Sequence, residues 1–423
     1  MASSVTPPRG LRDFLPADKA QRERVLGVIR NTFHSHGFDE IETPVMEDSN
    51  RLHAGLGGDN EKLAFAVMKR ALSKDDLQAA EQPLDLADLG LRFDLTVPLA
   101  RFYASHRGEL PTVFRSIQIG AVWRAERPQK GRYRQFVQCD IDIIGEAGPI
   151  AEVELITATV ATIDALGLDG CSIRINDRRL LTSALELLGF PPKEHEPVLV
   201  TIDKLDKIGH DGVITELRDR GFPAGPVDAL DAFFTCPVTT QVPTFGEAVI
   251  RSLLPEGVDP VAVTELAAIG VAATRVVGRD VVQFDPWLVR GMGYYTGTIF
   301  EVAHPSVSYS LGGGGRYDGM IGRFLGSDVP AVGFSLGFER LVELVKLEGS
   351  EGADAVALIH DPAMSPAALL TLKAAIVADG RRVRVERRPK NVKPLLDQLV
   401  VAGFGSYAFV DDSTVTPELR QLG

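Results

Sequence analysis

Strand-like runs crowd together between residues 91 and 177, and their spacing restricts the fold more than any other feature of the sequence. The runs are LRFDLTV, TVFRSIQIGAVWRAE, RQFVQCDIDIIG and SIRIND, all rich in β-branched and aromatic residues. Turn-forming residues separate the second run from the third. Strands this closely spaced favour an antiparallel sheet flanked by helices over regular βαβ alternation. We therefore predict an α+β fold.

Two further patterns follow along the chain. Residues 178–278 are mostly helical in pattern, which predicts an inserted helical module. Beyond Gly352, the runs AVALI, RRVRVE and YAFV alternate with two helical stretches, which predicts a separate α/β (βαβαβ) domain with a small parallel sheet. The predicted domains are a main domain in two parts at 1–177 and 279–348, a helical insertion at 178–278, and a C-terminal domain at 353–423.

Composition limits the class of protein. The 423 residues carry a net charge of −12, which excludes a protein that coats nucleic acid non-specifically, so any nucleic-acid contact must be regional. Cys139, Cys171 and Cys236 are far apart and lack CxxC spacing, so we expect buried thiols and neither a disulfide framework nor a metal site. A signal peptide and a run of about 20 apolar residues are both missing from the sequence, which predicts a cytoplasmic protein without a membrane partner.

The segment AVWRAERPQKGRYRQFVQCDIDIIG gathers arginines around a turn at Pro128–Gly131. On two antiparallel strands alternate residues share a face, and guanidinium forks on one face bind phosphate oxygens. The residues expected on that face are Arg124, Glu126, Arg132 and Phe136. By charge alone, a solvated basic hairpin explains the pattern equally well. Gln138 and Asp142 lie four apart on the second strand, where they would meet a cationic or imidazole group.

Three later segments carry candidate binding residues. In LVRGMGYYTGTIFEV, Arg290 lies in a glycine-rich loop before Tyr294 and Tyr295, although tyrosines are also ordinary strand residues. In SLGGGGRYDGM, Gly312–Gly315 let the backbone approach a ligand, or form a flexible turn. In AVGFSLGFERL, Arg340 lies near the start of a predicted helix, where an ordinary surface arginine is the alternative.

Together these segments resemble the class II aminoacyl-tRNA synthetases and, within them, the histidyl-tRNA synthetases. The class-wide elements are an N-terminal helix and a strand ending at Pro44, the arginine hairpin, and Gly337 with Arg340 at a helix start. The histidine-specific elements are RGMGYYTG and GGGGRYDG, together with RGLRDFLP and LRFDLTVP. The resemblance covers roughly residues 7–345 and implies the class II synthetase antiparallel sheet, with an anticodon-binding-like C-terminal domain.

The resemblance also implies a reaction and its residues. ATP binds in a bent form with Mg²⁺ on its phosphates, the histidine carboxylate attacks the α-phosphate, and histidine then moves to tRNA(His). The implied catalytic residues are Arg124, Arg290 and Arg340. The implied ATP-binding residues are Arg124, Glu126, Arg132, Phe136 and Arg340. The implied histidine-binding residues are Asp94, Leu95, Thr96, Arg124, Gln138, Asp142, Arg290, Tyr294 and Tyr295. By the same resemblance we expect a homodimer.

Two features depart from the family pattern. Gly293 stands where the family usually has Asp, and the C-terminal domain is expected to be shortened after YAFV. These departures keep two paralogues open: a regulatory subunit of ATP phosphoribosyltransferase in histidine biosynthesis, and a protein that forms histidyl-adenylate for a carrier other than tRNA. The complete arginine set and the basic run RRVRVERRPKNVK in the C-terminal domain favour the synthetase.

Overall fold

The fold is known from a computed structural model, which describes residues 5–53, 62–129, 131–234, 245–291, 293–347 and 354–422. The strands are β1 Asp39–Glu40, β2 Met46–Asp48, β3 Phe65–Met68, β4 Ala87–Leu91, β5 Phe114–Trp123, β6 Gln135–Ile144, β7 Ser172–Asp177, β8 Val282–Phe284, β9 Thr298–Ala303, β10 Gly312–Arg316, β11 Ala331–Gly337, β12 Val356–His360, β13 Val383–Arg387, β14 Ser406–Val410 and β15 Arg420–Gln421. The helices are α1 Pro16–Ser35, α2 Ser49–Leu52, α3 Lys74–Ala79, α4 Thr96–His106, α5 Ile150–Ala165, α6 Arg178–Leu187, α7 Pro192–Ile202, α8 Leu205–Asp219, α9 Ala224–Phe234, α10 Glu247–Ser252, α11 Pro260–Val277, α12 Asp318–Leu325, α13 Phe338–Leu344, α14 Pro366–Ala378 and α15 Lys393–Val401.

The main sheet has eight strands in the order β1-β5-β6-β11-β10-β9-β7-β8. Its six central strands are antiparallel, whereas β1 and β8 pair in parallel at the two edges. The longest pairing joins β5 to β6, from Phe114 opposite Ile144 to Trp123 opposite Gln135. The predicted antiparallel sheet flanked by helices is therefore confirmed.

The run LRFDLTV is not a single strand. Only Leu91 belongs to β4, and Thr96 already opens helix α4. The turn between them is held by Asp94, whose Oδ1 accepts a hydrogen bond from the amide of Val97 at 3.2 Å. Pro98 lies in the first turn of α4, where a residue without an amide proton costs the helix no hydrogen bond. This turn places the Asp94 and Thr96 side chains in the lining of the cavity described below.

Helices α5 and α11 pack on each other, and α5 also contacts β6 and β11. A bidentate ion pair lies between this helix and the sheet, because Arg316 Nε and Nη2 donate to the two oxygens of Glu152 at 2.6 and 2.8 Å. Both side chains are nearly excluded from water. Within the described ranges, α11 is long and apolar enough to cross a membrane by length and composition alone, properties that a packed core helix shares.

Helices α6 to α9 share a hydrophobic core that includes Phe190, Leu199 and Leu230. The same cluster contains Leu288, and Ile299 of β9. The helices therefore rest directly on the segment that leads into β9. The domain boundaries drawn from the sequence remain predictions.

The chain divides into two compact units, and the second comprises Asp13–Leu26 and Lys346–Gly423. Strands β13, β12 and β14 of this unit are parallel, and β15 pairs antiparallel with β14. Alternate residues of β12 pack on opposite faces, with Val356 and Leu358 in one cluster and Ala357 and Ile359 in the other. This is the βαβαβ order predicted from the sequence, with one short extra strand.

The cysteines that can be described are free thiols. Cys139 is fully buried in β6, and Cys171 is half-buried, which raises its pKa to about 11. Cys236 lies outside the described residues.

Candidate active site

One cavity opens over the central strands of the main sheet, and it is lined by residues of two separate parts of the chain, 94–142 and 290–340. The predicted site residues that line it are Asp94, Thr96, Arg124, Glu126, Arg132, Phe136, Gln138, Asp142, Arg290, Tyr294, Tyr295 and Arg340. Leu95 stands apart because its side chain is buried below the site and its carbonyl accepts from Gln118 Nε2 at 3.0 Å. The structure thus brings residues more than 200 positions apart in the sequence around one space.

The arginine hairpin forms the positively charged wall of the cavity. Arg124 Nε donates to the carbonyl of Phe93 at 2.9 Å, and its guanidinium lies 5.1 Å from the ring centroid of Phe136. Burial lowers the pKa of Arg124, but an arginine remains charged at neutral pH. Across the hairpin, Arg132 forms an ion pair with Glu126. The wall therefore presents a fixed cation beside a half-buried aromatic ring.

Arg340, in the first turn of α13, faces the hairpin. Its Nη1 donates to the carbonyl of Ser310, and its guanidinium lies 5.2 Å from the ring centroid of Tyr309. Burial, and then the repulsion of Arg132 and Arg290, lower the pKa of Arg340. Arginines that repel one another in the free protein create a local positive field, which an anion such as a polyphosphate relieves.

Arg290 lies on the floor of the cavity, directly over Gly313 of β10. A Cβ atom at Gly313 would lie only 2.7 Å from Arg290 Cζ, so a larger residue would displace the guanidinium. Arg290 Nη1 donates to Glu301 Oε2 at 2.7 Å. Burial acts to lower the pKa of Arg290, but the combined attraction of Glu301, Tyr295 and Asp203 outweighs it and the pKa is raised. Of the two alternatives for Gly312–Gly315, the flexible turn is wrong, because these glycines form a central strand, and the missing side chain of Gly313 makes room for this arginine.

Asp142 of β6 forms the opposite, acidic end of the cavity. It accepts a hydrogen bond from the hydroxyl of Tyr317 at 2.6 Å. Burial raises the pKa of Asp142 to about 7, although the Tyr317 hydrogen bond acts to lower it. Gly333, its neighbour on β11, has no side chain, and a Cβ there would overlap the carboxylate.

Two tyrosines stand beside this carboxylate. The rings of Tyr294 and Tyr295 lie 4.8 Å apart, and Tyr294 lies 6.1 Å from Tyr317. Both loop tyrosines precede β9, which begins only at Thr298. Burial raises the pKa of each of the three tyrosines, so their hydroxyls are neutral hydrogen-bonding groups at neutral pH.

Asp140 lies between Gln138 and Asp142 on the same face of β6, and sequence reasoning missed it. Its side chain is buried, and Oδ1 has no hydrogen-bond partner among the described residues. Gln138 Nε2 donates to Asp140 Oδ2 at 3.4 Å and to Ser335 Oγ at 3.0 Å. Burial, and then the nearby Asp142 carboxylate, raise the pKa of Asp140 well above its usual value. The two-residue period that linked Gln138 to Asp142 also indicates Asp140.

Sequence reasoning also missed the supports of the arginine wall. Arg12, from the RGLRDFLP segment, forms an ion pair with Glu339 of α13 and stacks 3.3 Å from the ring centroid of Tyr133. Glu339 Oε1 in turn accepts from the amide of Val137 at 3.2 Å. This gives the N-terminal segment a physical role, because it joins the hairpin to the helix that carries Arg340.

The space beside Gly293 is limited by a carboxylate on helix α7. A Cβ atom at Gly293 would lie 3.1 Å from Glu196 Oε1 on α7. Glu196 also forms an ion pair with Arg178. An aspartate at position 293 would therefore place two like charges side by side, which is a physical reason for glycine here.

A metal centre built from protein ligands has no candidate in the part of the chain that the structure describes, since no three His, Cys, Asp or Glu side chains come together there.

Comparisons with known proteins point in one direction. A family model described as histidyl-tRNA synthetase matches residues 10–341. A histidine–tRNA ligase of Leifsonia xyli is 60% identical over 429 residues, covering 100% of this chain and 99% of the relative. A probable histidine–tRNA ligase of Tropheryma whipplei is 43% identical over 417 residues, covering 96% of each chain. The crystal structure of histidyl-tRNA synthetase from Nostoc has the same fold, with a TM-score of 0.77 at 24% identity, covering 100% of this chain and 95% of that chain.

An antiparallel sheet that carries an arginine hairpin on one side and an arginine at a helix start on the other defines a class II aminoacyl-tRNA synthetase. The sequence matches extend over most of the chain, including the segments that line the cavity. The chain therefore belongs to the histidyl-tRNA synthetase family and is an enzyme of the histidine–tRNA ligase type. A Bacillus halodurans protein described as an ATP phosphoribosyltransferase regulatory subunit/histidyl-tRNA synthetase shares the fold at 20% identity and a TM-score of 0.74, which does not favour the regulatory alternative.

Proposed function

We propose that the cavity binds ATP and L-histidine together, forms histidyl-adenylate, and then passes histidine to tRNA(His). The observation that supports this proposal is the division of one cavity into a cationic, aromatic end and an acidic, tyrosine-lined end. A polyphosphate and a purine suit the first end, and an imidazole with its α-ammonium group suits the second. Because both ends open into one space, a carboxylate and an α-phosphate bound there can meet.

At the cationic end, Arg124 and Arg340 bind the α- and γ-phosphates of ATP, and adenine stacks on Phe136. Glu126 lies in the same lining, and a carboxylate there fits an Mg²⁺ ion that arrives on the phosphates, because Mg²⁺ in such sites takes one or two protein carboxylates. Bound there, the ion would neutralise phosphate charge. Arg290 stabilises the charge that develops on the α-phosphate as the histidine carboxylate attacks and pyrophosphate leaves.

At the acidic end, Asp142 accepts from one imidazole nitrogen, and a tyrosine hydroxyl serves the other. Asp94, Thr96 and Gln138 hold the α-ammonium group. A pocket that pairs both polar ends of the side chain rejects analogues without them, because its own buried groups would be left unsatisfied. Transfer to the terminal ribose needs no protein nucleophile, so we propose no covalent enzyme intermediate.

The C-terminal domain is proposed to bind the anticodon region of the tRNA. Its basic side chains lie over aromatic rings, with Arg382 and Arg384 at 4.6 and 4.7 Å from the centroid of Phe404, and Arg388 at 4.6 Å from that of Phe409. Guanidinium groups held in this way on one strand and its loop form a regional cationic surface suited to the phosphates of a tRNA.

We also propose a cytoplasmic homodimer. The small sheet β2-β4-β3 exposes apolar side chains, among them Met46, Met68 and Leu89. Exposed apolar clusters on a sheet commonly mark an interface. Gel filtration with light scattering tests the dimer, since a monomeric mass would contradict it.

Histidine-dependent exchange of pyrophosphate into ATP, followed by charging of tRNA(His), tests the enzymatic proposal. We expect both activities, with exchange requiring histidine. A chain without exchange would contradict the proposal. Exchange without charging would instead indicate an adenylate-forming protein that serves another carrier.

A further inference from the structure

Glu301 of β9 binds two arginines, one with each carboxylate oxygen. Its Oε2 accepts from Arg290 Nη1 at 2.7 Å, and its Oε1 accepts from Arg174 Nη1 at 3.0 Å. The Glu301 side chain is 14% exposed, so water competes little for either contact. Glu301 lies outside the cavity lining, and it can act on bound substrates only through Arg290.

The two partners of Glu301 are placed by one cross-strand row of the main sheet. Arg174 of β7 pairs in register with Glu301, and Glu301 pairs in register with Gly313 of β10. Arg290 lies over Gly313, where a Cβ would be only 2.7 Å from its Cζ. Across three neighbouring strands, the row therefore places Arg174, then the Glu301 carboxylate, and then Gly313, whose missing side chain leaves room for the Arg290 guanidinium.

Arg174 is itself held from outside the sheet. Its Nε donates to Asp285 Oδ2 at 2.5 Å, and its Nη1 donates to Asp206 Oδ2 at 2.8 Å. Asp206 lies in the first turn of α8, within the predicted helical insertion. The chain of contacts thus runs from that helix through Arg174 and Glu301 to Arg290.

We propose that Glu301 is a positioning residue for Arg290, and that Arg174 connects this position to helix α8. The proposal rests on the function proposed above. Arginine has several rotatable bonds, and its planar fork is useful only in one orientation, so a fixed carboxylate behind it organises it before ATP binds. Glu301 therefore affects the rate of adenylate formation more than the affinity for histidine.

The test is Glu301→Gln, which keeps the size of the side chain but replaces one acceptor oxygen with a donor, so it cannot serve two guanidinium groups. We expect the kcat of pyrophosphate exchange to fall by up to about 100-fold, the loss that a displacement of about 1 Å produces, with the KM for histidine nearly unchanged. Glu301→Asp keeps both acceptors and should recover part of the rate. The matched control is Glu154→Gln, which breaks the Arg115–Glu154 pair at 2.6 and 2.8 Å away from the cavity and should exchange like the unmodified enzyme.

Three results would overturn the assignment: near-normal exchange in Glu301→Gln, a loss confined to the histidine KM, or Glu301→Asp no better than Glu301→Gln. Combining Glu301→Gln with Arg290→Ala should cost no more than Arg290→Ala alone, and full additivity would also overturn it. Thermal unfolding and histidine binding of each variant distinguish a positioning defect from misfolding. Loss of exchange in the unmodified enzyme would instead refute the proposed function, so the two failures are distinct.

Discussion

Replacing Tyr317 with Phe removes one hydroxyl from the wall of the cavity and leaves the ring in place. That hydroxyl donates to Asp142 at 2.6 Å and acts to lower the pKa of Asp142, which burial raises to about 7. A hydrogen bond to a charged group contributes about 1.5–3 kcal/mol, and one pKa unit corresponds to about 1.4 kcal/mol. We therefore expect the pKa of Asp142 to rise by about one to two units in Tyr317→Phe.

The consequence is measurable as the pH dependence of histidine binding. If the ionised Asp142 is the form that accepts from the imidazole, histidine binding weakens as pH falls through the pKa of Asp142. Because this pKa is higher in the variant, its histidine binding begins to weaken at a higher pH. The ratio of the variant and unmodified dissociation constants cancels the titration of free histidine. It should approach a constant at high pH and increase by about 10- to 100-fold as pH falls below 7.

Isothermal titration calorimetry between pH 6 and pH 9 supplies the two dissociation constants. Tyr103→Phe is the matched control, because Tyr103 is buried in the same hydrophobic cluster as Tyr317 but does not line the cavity. Its ratio should stay flat across the pH range. A ratio for Tyr317→Phe that is equally flat would show that this hydroxyl does not control the protonation of Asp142.

Three other substitutions have defined outcomes. Arg290→Ala should lower histidine-dependent exchange by at least about 100-fold without lowering the unfolding temperature, because it removes charge stabilisation of the α-phosphate; near-normal exchange would contradict its catalytic role. Glu152→Ala should lower the free energy of unfolding by up to about 3–5 kcal/mol in urea titrations, because the buried Arg316 loses its bidentate partner and keeps only Asp318, at 3.2 Å, as a charged one; a loss below about 1 kcal/mol would mean that the site relaxes. Gly293→Asp should weaken exchange, and adding Glu196→Gln should recover it, with a coupling of up to about 1 kcal/mol because Glu196 is 53% exposed; simple additivity would exclude a like-charge effect.

Local patterns were sufficient for the arginine hairpin. The turn residues and the arginines around them predict one shared surface, and Arg124, Glu126, Arg132 and Phe136 do line one cavity. Of the four, only Phe136 lies in a strand, because β5 ends at Trp123 and β6 begins at Gln135. The family assignment, based on the combination of segments, is confirmed by the sequence comparisons. The individual roles of the site residues remain predictions.

Register between distant strands was not predictable. Glu301 and Arg174 are 127 residues apart, and their pairing depends on how β7 and β9 align, which a local pattern does not encode. The role of Tyr317 likewise depends on β10 lying two strands from β6. The run LRFDLTV was misinterpreted because its composition suits a strand, whereas Pro98 was the signal for a helix start.

The glycines of β10 and β11 also determine how the site can respond to its substrates. Most binding sites adapt by changing side-chain rotamers, but Gly313 beneath Arg290 and Gly333 beside Asp142 have no rotamers to change. Any adjustment to ATP or histidine must come from the walls, that is from the hairpin and from the loop that carries Arg290. The glycine backbone therefore stays in place when substrates bind. Attempts to enlarge the pocket for histidine analogues should substitute Tyr294 or Tyr295, because the glycines have no side-chain volume to remove.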